Sequence, residues 1–308
     1  MSAAKGEAAA LPSAPTPVFL VANLIACSML WSTSFLFIKL SGEVNPFVLA
    51  ATRGLLGASA LASWFAVQAR SIRPERGEWR HWAILGALNG WVPNVLVAFA
   101  LTQIGTAPAA MIQASGPLIV AVLAHLLFAD ERLTARRLAG VLVGLAGMGI
   151  LIGPAALPDS GLSPWGALAM VATALSYATA NLYVRSIRHA DPARLALGQQ
   201  ICSGLPATVL ALALAGPSAF AAVPPSAAPL VALGIVSTAL PILLFMRLIR
   251  RAGPTRASMV GYLQPVWTAT LAVLFLGETI GVREMIGGAV VLTGVALVSF
   301  SGRLRPMR

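Results

Sequence analysis

The chain has 308 residues, 58% of them hydrophobic and only 10% charged, with a mean hydropathy of +0.83 and a formal net charge of +11. A soluble domain carries about 25% charged residues, so this chain has too few to coat a water-facing surface. Its apolar residues come in blocks of roughly 20, the length that crosses a bilayer core. The arginines sit in short loops between those blocks, so the positive charge marks membrane topology and no nucleic-acid partner is expected.

In chain order, residues 1–17 are rich in Ala and Pro and nearly uncharged, which predicts a disordered cytoplasmic tail. Spans are predicted at 18–39, 47–68, 80–103, 106–128, 136–155, 164–187, 193–214, 227–250, 254–276 and 282–301, followed by a short basic cytoplasmic tail over 302–308. Cys27 and Cys202 both fall inside spans, where they make neither a disulfide framework nor a metal site. Trp79, Trp82 and Trp165 lie at span starts, the usual place of an interfacial aromatic belt.

The chain is duplicated. Gly105, Met111 and Pro117 align with Gly253, Met259 and Pro265. After a one-residue slip, Glu131, Arg136, Gly140 and Gly147 align with Glu278, Arg283, Gly287 and Gly294. Further upstream, Trp31, Thr33, Lys39 and Asn45-Pro46 align with Tyr177, Thr179, Arg185 and Asp191-Pro192; Leu85-Gly86 and Pro93 align with Leu233-Gly234 and Pro241. Each copy has an odd number of predicted spans, so the copies must insert upside down relative to one another. The expected fold is an all-α membrane protein of ten transmembrane helices, built as two inverted five-helix repeats over 18–155 and 156–301. With the N-terminus inside, nearly all of the 21 Lys and Arg fall on the cytoplasmic side, leaving Lys39 and Arg283 outside and Arg53 within a span. That bias predicts an inner (plasma) membrane protein with both termini cytoplasmic.

Proline inside a span removes a backbone hydrogen bond and loosens the helix. Pro93 with Pro241, and Pro117 with Pro265, are therefore candidate hinges. Polar residues inside spans face a protein interior or a water-filled path. Here they are amides and hydroxyls: Ser32, Thr33, Ser34, Asn89, Asn94, Gln113, Asn181, Gln199, Gln200 and Gln264. About half are expected to bond between helices and the rest to meet a polar solute, with Ser34, Asn89, Asn94, Gln113, Asn181 and Gln264 the chosen candidates. Trp31, Tyr177, Tyr262 and Trp267 are deep aromatics that suit a partly apolar solute. Arg53 is the one formal charge well inside a span, with two readings: it grips a carboxylate or phosphate of the solute, or it snorkels outward or bonds span-end carbonyls.

All ten acids fall in the tail, a loop or a span end, so no buried proton-carrying carboxylate is expected. Glu131 and Glu278, each preceding the last span of its half, are expected to cap that helix, and His125 to be a hydrogen-bonded packing residue. No catalytic motif is present, so neither an enzyme nor a cofactor is expected.

Two five-span units, each ending in FADERLT (128–134) or FLGETIG (275–281) and then a glycine-rich span carrying Gly140 or Gly287, resemble the EamA-type carriers of the drug/metabolite transporter superfamily. Arg53-Gly54 is similar to the arginine usual in that family's second span. The resemblance implies a ten-helix inverted-repeat basket that exports small metabolites, among them amino acids, aromatic ones included, and toxic analogues. Unlike the small four-span cation exporters, span 1 has no glutamate, and only Arg53 and Lys39 could serve as the phosphate-gripping cations of the sugar-phosphate branch. The expected solute is thus neutral or zwitterionic, most plainly an amino acid with an aromatic or large neutral side chain, moved by alternating access through lipid. Efflux of drugs or toxic analogues is the alternative, and an intramembrane enzyme the remote one. The sequence points to no oligomeric state.

Overall fold

The computed structural model describes residues 16–104, 109, 112–152, 163–187, 190–276 and 281–300. Both predicted tails, apart from residues 16 and 17, lie outside the described residues, as do Gly105, Met111 and Glu278. Every regular element among the described residues is helical. The first half runs α1 (Pro17–Leu40), α2 (Pro46–Val67), α3 (Glu78–Gly86), α4 (Val92–Gln103), α5 (Gly116–Leu127) and α6 (Ala135–Ile152). The second runs α7 (Pro164–Ser186), α8 (Pro192–Leu214), α9 (Ala227–Gly234), α10 (Leu240–Ala252), the short α11 (Pro254–Ala257), α12 (Val260–Leu276) and α13 (Val282–Ser299). Six stretches are long and apolar enough to cross a membrane: Pro17–Ile38, Pro46–Val67, Pro164–Ser186, Pro192–Leu214, Ala227–Ala252 and Pro254–Phe275.

Local chemistry starts the helices at repeat-equivalent places. The Asn45 side chain accepts a 2.9 Å hydrogen bond from the Phe47 N–H, and the Asp191 side chain accepts one of 3.1 Å from Ala193. In both, the capping residue is followed by a proline in the first helical turn, where its missing N–H costs nothing.

Glycines set two close helix seams. A Cβ added to Gly140 would lie 2.9 Å from the Gly294 carbonyl oxygen, and one on Gly147 would lie 3.0 Å from that of Gly287. Numbers rise along α6 as they fall along α13, so the last spans of the two halves run antiparallel with their backbones in contact. The second spans meet in the same way. A Cβ on Gly54 would be 2.8 Å from Gly204 Cα, and one on Gly57 would be 3.4 Å from Gln200 Oε1. Small residues permit such approaches, which drive packing where lipid supplies no hydrophobic force. The main core fills the space between the halves, with Leu24, Phe65, Leu197, Met246, Leu248 and Tyr262 sealed from solvent.

Four expectations need correction. The third span of each half is not a continuous α-helix, because a π-turn interrupts it, at Ala87–Trp91 and at Ile235–Ala239. The ninth span breaks at Ser258-Met259, between α11 and α12. Trp82 is no interfacial anchor: it is buried, with its ring pressed against Gly198, while Trp79 and Trp165 are exposed. Glu131 does not cap α6. The Thr134 hydroxyl accepts from the Arg137 N–H instead, and Glu131 turns away to pair with the Arg137 side chain.

Candidate functional site

The two π-turns are repeat equivalents. Each follows the Leu-Gly pair that aligns the halves and precedes the paired proline by two residues. Val92 N–H bonds to the Ala87 carbonyl and Leu240 N–H to that of Ile235, the wide i→i+5 closure in both. The cause is legible: Pro93 and Pro241 have no N–H to offer the carbonyls of Asn89 and Ser237, so the preceding turn relaxes outward. In the first half Gly90 also leaves helical geometry altogether, at φ −129 and ψ −105. Such bulges recur at functional sites, and here they carry polar side chains to mid-helix depth: Asn89 on one, Ser237 and Thr238 on the other.

Each π-turn is held by the opposite half. Asn89 Nδ2 donates 3.1 Å to Gln199 Oε1 on α8, and the Ser176 hydroxyl on α7 donates 2.7 Å to the Leu88 carbonyl. A Cβ on Gly90 would collide with Ser203 of α8. In the second half, Thr33 and Ser237 share a 2.6 Å hydroxyl–hydroxyl bond, and Arg53 Nε donates 3.3 Å to Thr238 Oγ1. Arg53 and Gln199 are themselves repeat equivalents, so one position on α2 and α8 performs the same task on the two turns. Hydrogen bonds between membrane helices are worth only about 0.6 kcal/mol on average. These holds are weak enough to exchange, unlike the backbone contact of α6 with α13.

The remaining candidates divide by placement. Trp31 packs edge-on against Phe245, with ring centroids 4.9 Å apart, and is half-buried. Tyr177 is half-buried and close enough to Arg53 for the two groups to interact electrostatically. Asn94, Gln264 and Trp267 are half-buried, with the Gln264 backbone carbonyl accepting 2.8 Å from the Ser32 hydroxyl; Ser34 and Asn181 are buried. Gln113 keeps its amide oxygen buried without a hydrogen-bond partner among the described residues. Tyr262 lies apart: fully buried, its ring abuts Gly144 and its hydroxyl donates 3.2 Å to the Val141 carbonyl, which ties it to the α6 seam. Of the prolines, Pro93, Pro117 and Pro241 stand in the first turn of α4, α5 and α10, whereas Pro265 is inside α12. Pro206, inside α8, had no sequence partner to single it out.

Ser176, Ser203, Ser237 and Thr238 escaped sequence reasoning. Aligning Asn89-Gly90 with Ser237-Thr238 by the offset of the paired prolines would have found the last two. His125 is hydrogen-bonded as expected, Nδ1 accepting 3.2 Å from the Leu133 N–H, but it is exposed and not a packing residue. Among the described residues no cluster of three or more His, Cys, Asp or Glu could hold a metal ion.

Apolar helices with polar groups gathered at interrupted helix middles define a polytopic membrane protein of the transporter class. The chain belongs to the EamA-like transporter family, which matches it twice, over residues 18–153 and 164–300. It is similar to a WAT1-related chloroplastic protein of Arabidopsis thaliana, 27% identical over 287 residues that cover 90% of this chain and 68% of that one. It is also similar to an uncharacterized transporter of Archaeoglobus fulgidus, 26% identical over 283 residues that cover 90% and 96% of the two chains. A crystal structure of a protein 23% identical in sequence shares the fold at a TM-score of 0.78, over 90% of this chain and 95% of that one. The family makes this chain a multi-pass membrane transporter and not an enzyme, with a small-molecule solute and membrane lipid as its partners.

Proposed function

We propose that this transporter exports small zwitterionic metabolites, foremost amino acids with aromatic or large neutral side chains, across the inner membrane. Two inverted five-span halves, both termini cytoplasmic, rock about the paired π-turns to give alternating access. The observation that carries this reading is that each π-turn is gripped by the other half through bonds weak enough to break and re-form. The antiparallel meeting of α2 with α8 and of α6 with α13 supports the inverted arrangement. Half-buried Trp31, Tyr177 and Trp267 beside amides and hydroxyls favour a solute with one apolar and one polar end. The buried acids Glu78 and Glu131 sit in ion pairs at helix ends, which favours a facilitator driven by the solute gradient over proton coupling.

The test is release from liposomes loaded with a mixed amino-acid pool and followed by mass spectrometry, with and without a pH gradient. Selective release of aromatic amino acids without a gradient is the expected result. Release that requires the gradient sinks the facilitator, and release of no amino acid moves the solute to drugs or other metabolites. Pro265→Ala is expected to slow release several-fold without lowering expression, since it restores an N–H inside α12 and stiffens it. Unchanged release would remove Pro265 from the moving parts.

A further inference from the structure

We infer that Arg53, held in place by Thr238, forms an anion subsite that receives the solute's carboxylate and fixes the direction in which a zwitterion lies. The inference deepens the proposed amino-acid export and rests on it. Arg53 stands on α2 two turns after Pro46, half-buried. Its Nε donates to Thr238 on the second π-turn, so the guanidinium is held against the opposite half and does not run outward to the membrane surface. A guanidinium has five N–H donors in a planar fork; Thr238 takes one, leaving the terminal pair for a two-oxygen acceptor. Among the described residues no carboxylate pairs with Arg53, whereas Arg70, Arg137, Arg185 and Arg194 each have an acid partner. A cation at this depth without a counter-charge is costly, and a ligand carboxylate relieves that cost with charge-assisted bonds.

Polarity follows from the repeat. The equivalent of Arg53 is Gln199, which spends its amide oxygen on Asn89 and carries no charge. The two ends of the pseudo-symmetric site therefore differ by one positive charge. A carboxylate is drawn to the Arg53 end, which leaves an ammonium group for the neutral amide end.

Calorimetry on the purified full-length carrier tests this with four probes sharing one aromatic body: phenylalanine, phenylalaninamide, 3-phenylpropionate and phenethylamine. Phenylalanine is expected to bind at least about tenfold tighter than its amide, and phenylpropionate tighter than phenethylamine. In Arg53→Gln the acid-to-amide ratio is expected to fall toward one, and Arg53→Lys, with charge but no fork, to recover part of it. A merely structural arginine would weaken acid and amide alike and leave the ratio unchanged, which overturns the subsite. Equal binding of acid and amide by the unmodified carrier, a measurement that needs no variant to fold, overturns it too while amino-acid export stands. Binding of none of the four removes the subsite and the aromatic amino-acid reading together.

Discussion

Gly294→Ala is expected to destabilise the carrier by about 3 kcal/mol, the top of the range for an overpacked methyl group. The added Cβ would lie 2.5 Å from the Gly144 nitrogen, 2.6 Å from the Gly140 oxygen and 2.8 Å from Gly144 Cα. All three are backbone atoms of the facing helix, so no side chain can swing aside, and α6 and α13 must part. Parting them loosens Val141, Val291 and Val298, which the seam buries completely. Gly288 is the control. It lies on the same helix, but its added Cβ would meet nothing nearer than a Val266 methyl at 3.9 Å, so Gly288→Ala is expected to stay within about 0.5 kcal/mol. Thermal unfolding in detergent, read by loss of the monodisperse peak, separates the two. Equal melting temperatures would show that the seam yields, and that the glycine contact does not anchor the bundle.

Two kinds of contact join the halves. Backbone touches backbone between α6 and α13 and between α2 and α8, whereas single hydroxyl and amide bonds join each π-turn to the opposite half. The sequence announces the first kind plainly, because Gly140, Gly147, Gly287 and Gly294 repeat at matched positions. Helix positions were largely legible, each predicted span being mostly helical where it is described, with turns at Ala114-Ser115 and Ser258-Met259 as breaks, since a block of some 20 apolar residues has few other options in a membrane. The π-turns were not legible. Pro93 and Pro241 marked the right places, but a proline allows a kink, a break or a wider turn, and only packing against α2 and α8 selects among them. Distances across the bundle were equally hidden. Nothing in the spacing of Arg53 and Thr238, or of Thr33 and Ser237, shows that they meet. Tyr262 illustrates the converse, since an aromatic at mid-span depth reads the same whether it faces a cavity or a glycine on the next helix.

The largest electrostatic effect is expected at Glu131, where replacement by alanine should cost about 3–5 kcal/mol, the penalty for breaking a buried ion pair from one side. Glu131 is 5% exposed and Arg137 9%; Arg137 Nη1 lies 3.1 Å from the carboxylate and also donates to the Arg132 carbonyl. Arg256 on α11 and Arg185 on α7 bring their charges to bear on the same carboxylate, and Gly253, at φ +87, leaves it space that a side chain would fill. This is one end of a network joining the halves, with Arg70 to Asp191, Arg194 to Glu75 and Glu78, and Arg185 to Asp130. The repeat equivalents of Asp191, Arg194 and Arg137 are Asn45, Val48 and Glu284, so these three charged positions are not duplicated in kind. Burial raises the Glu131 carboxyl above its ordinary value of 4.5, and the surrounding arginines pull it back only in part. A carboxyl raised in the folded state contributes stability that is full below 4.5 and is lost as pH rises through the higher folded value. Glu131→Gln, which keeps the shape of the protonated acid, is therefore expected to cost less than alanine at every pH, to match the unmodified carrier most closely in acid, and to flatten this part of the pH profile. Melting temperatures of the three proteins between about pH 4 and pH 8, bracketing the carboxylate range, decide it. If alanine melts no lower than glutamine throughout, the arginines do not depend on Glu131 and the clamp is held by the other four pairs.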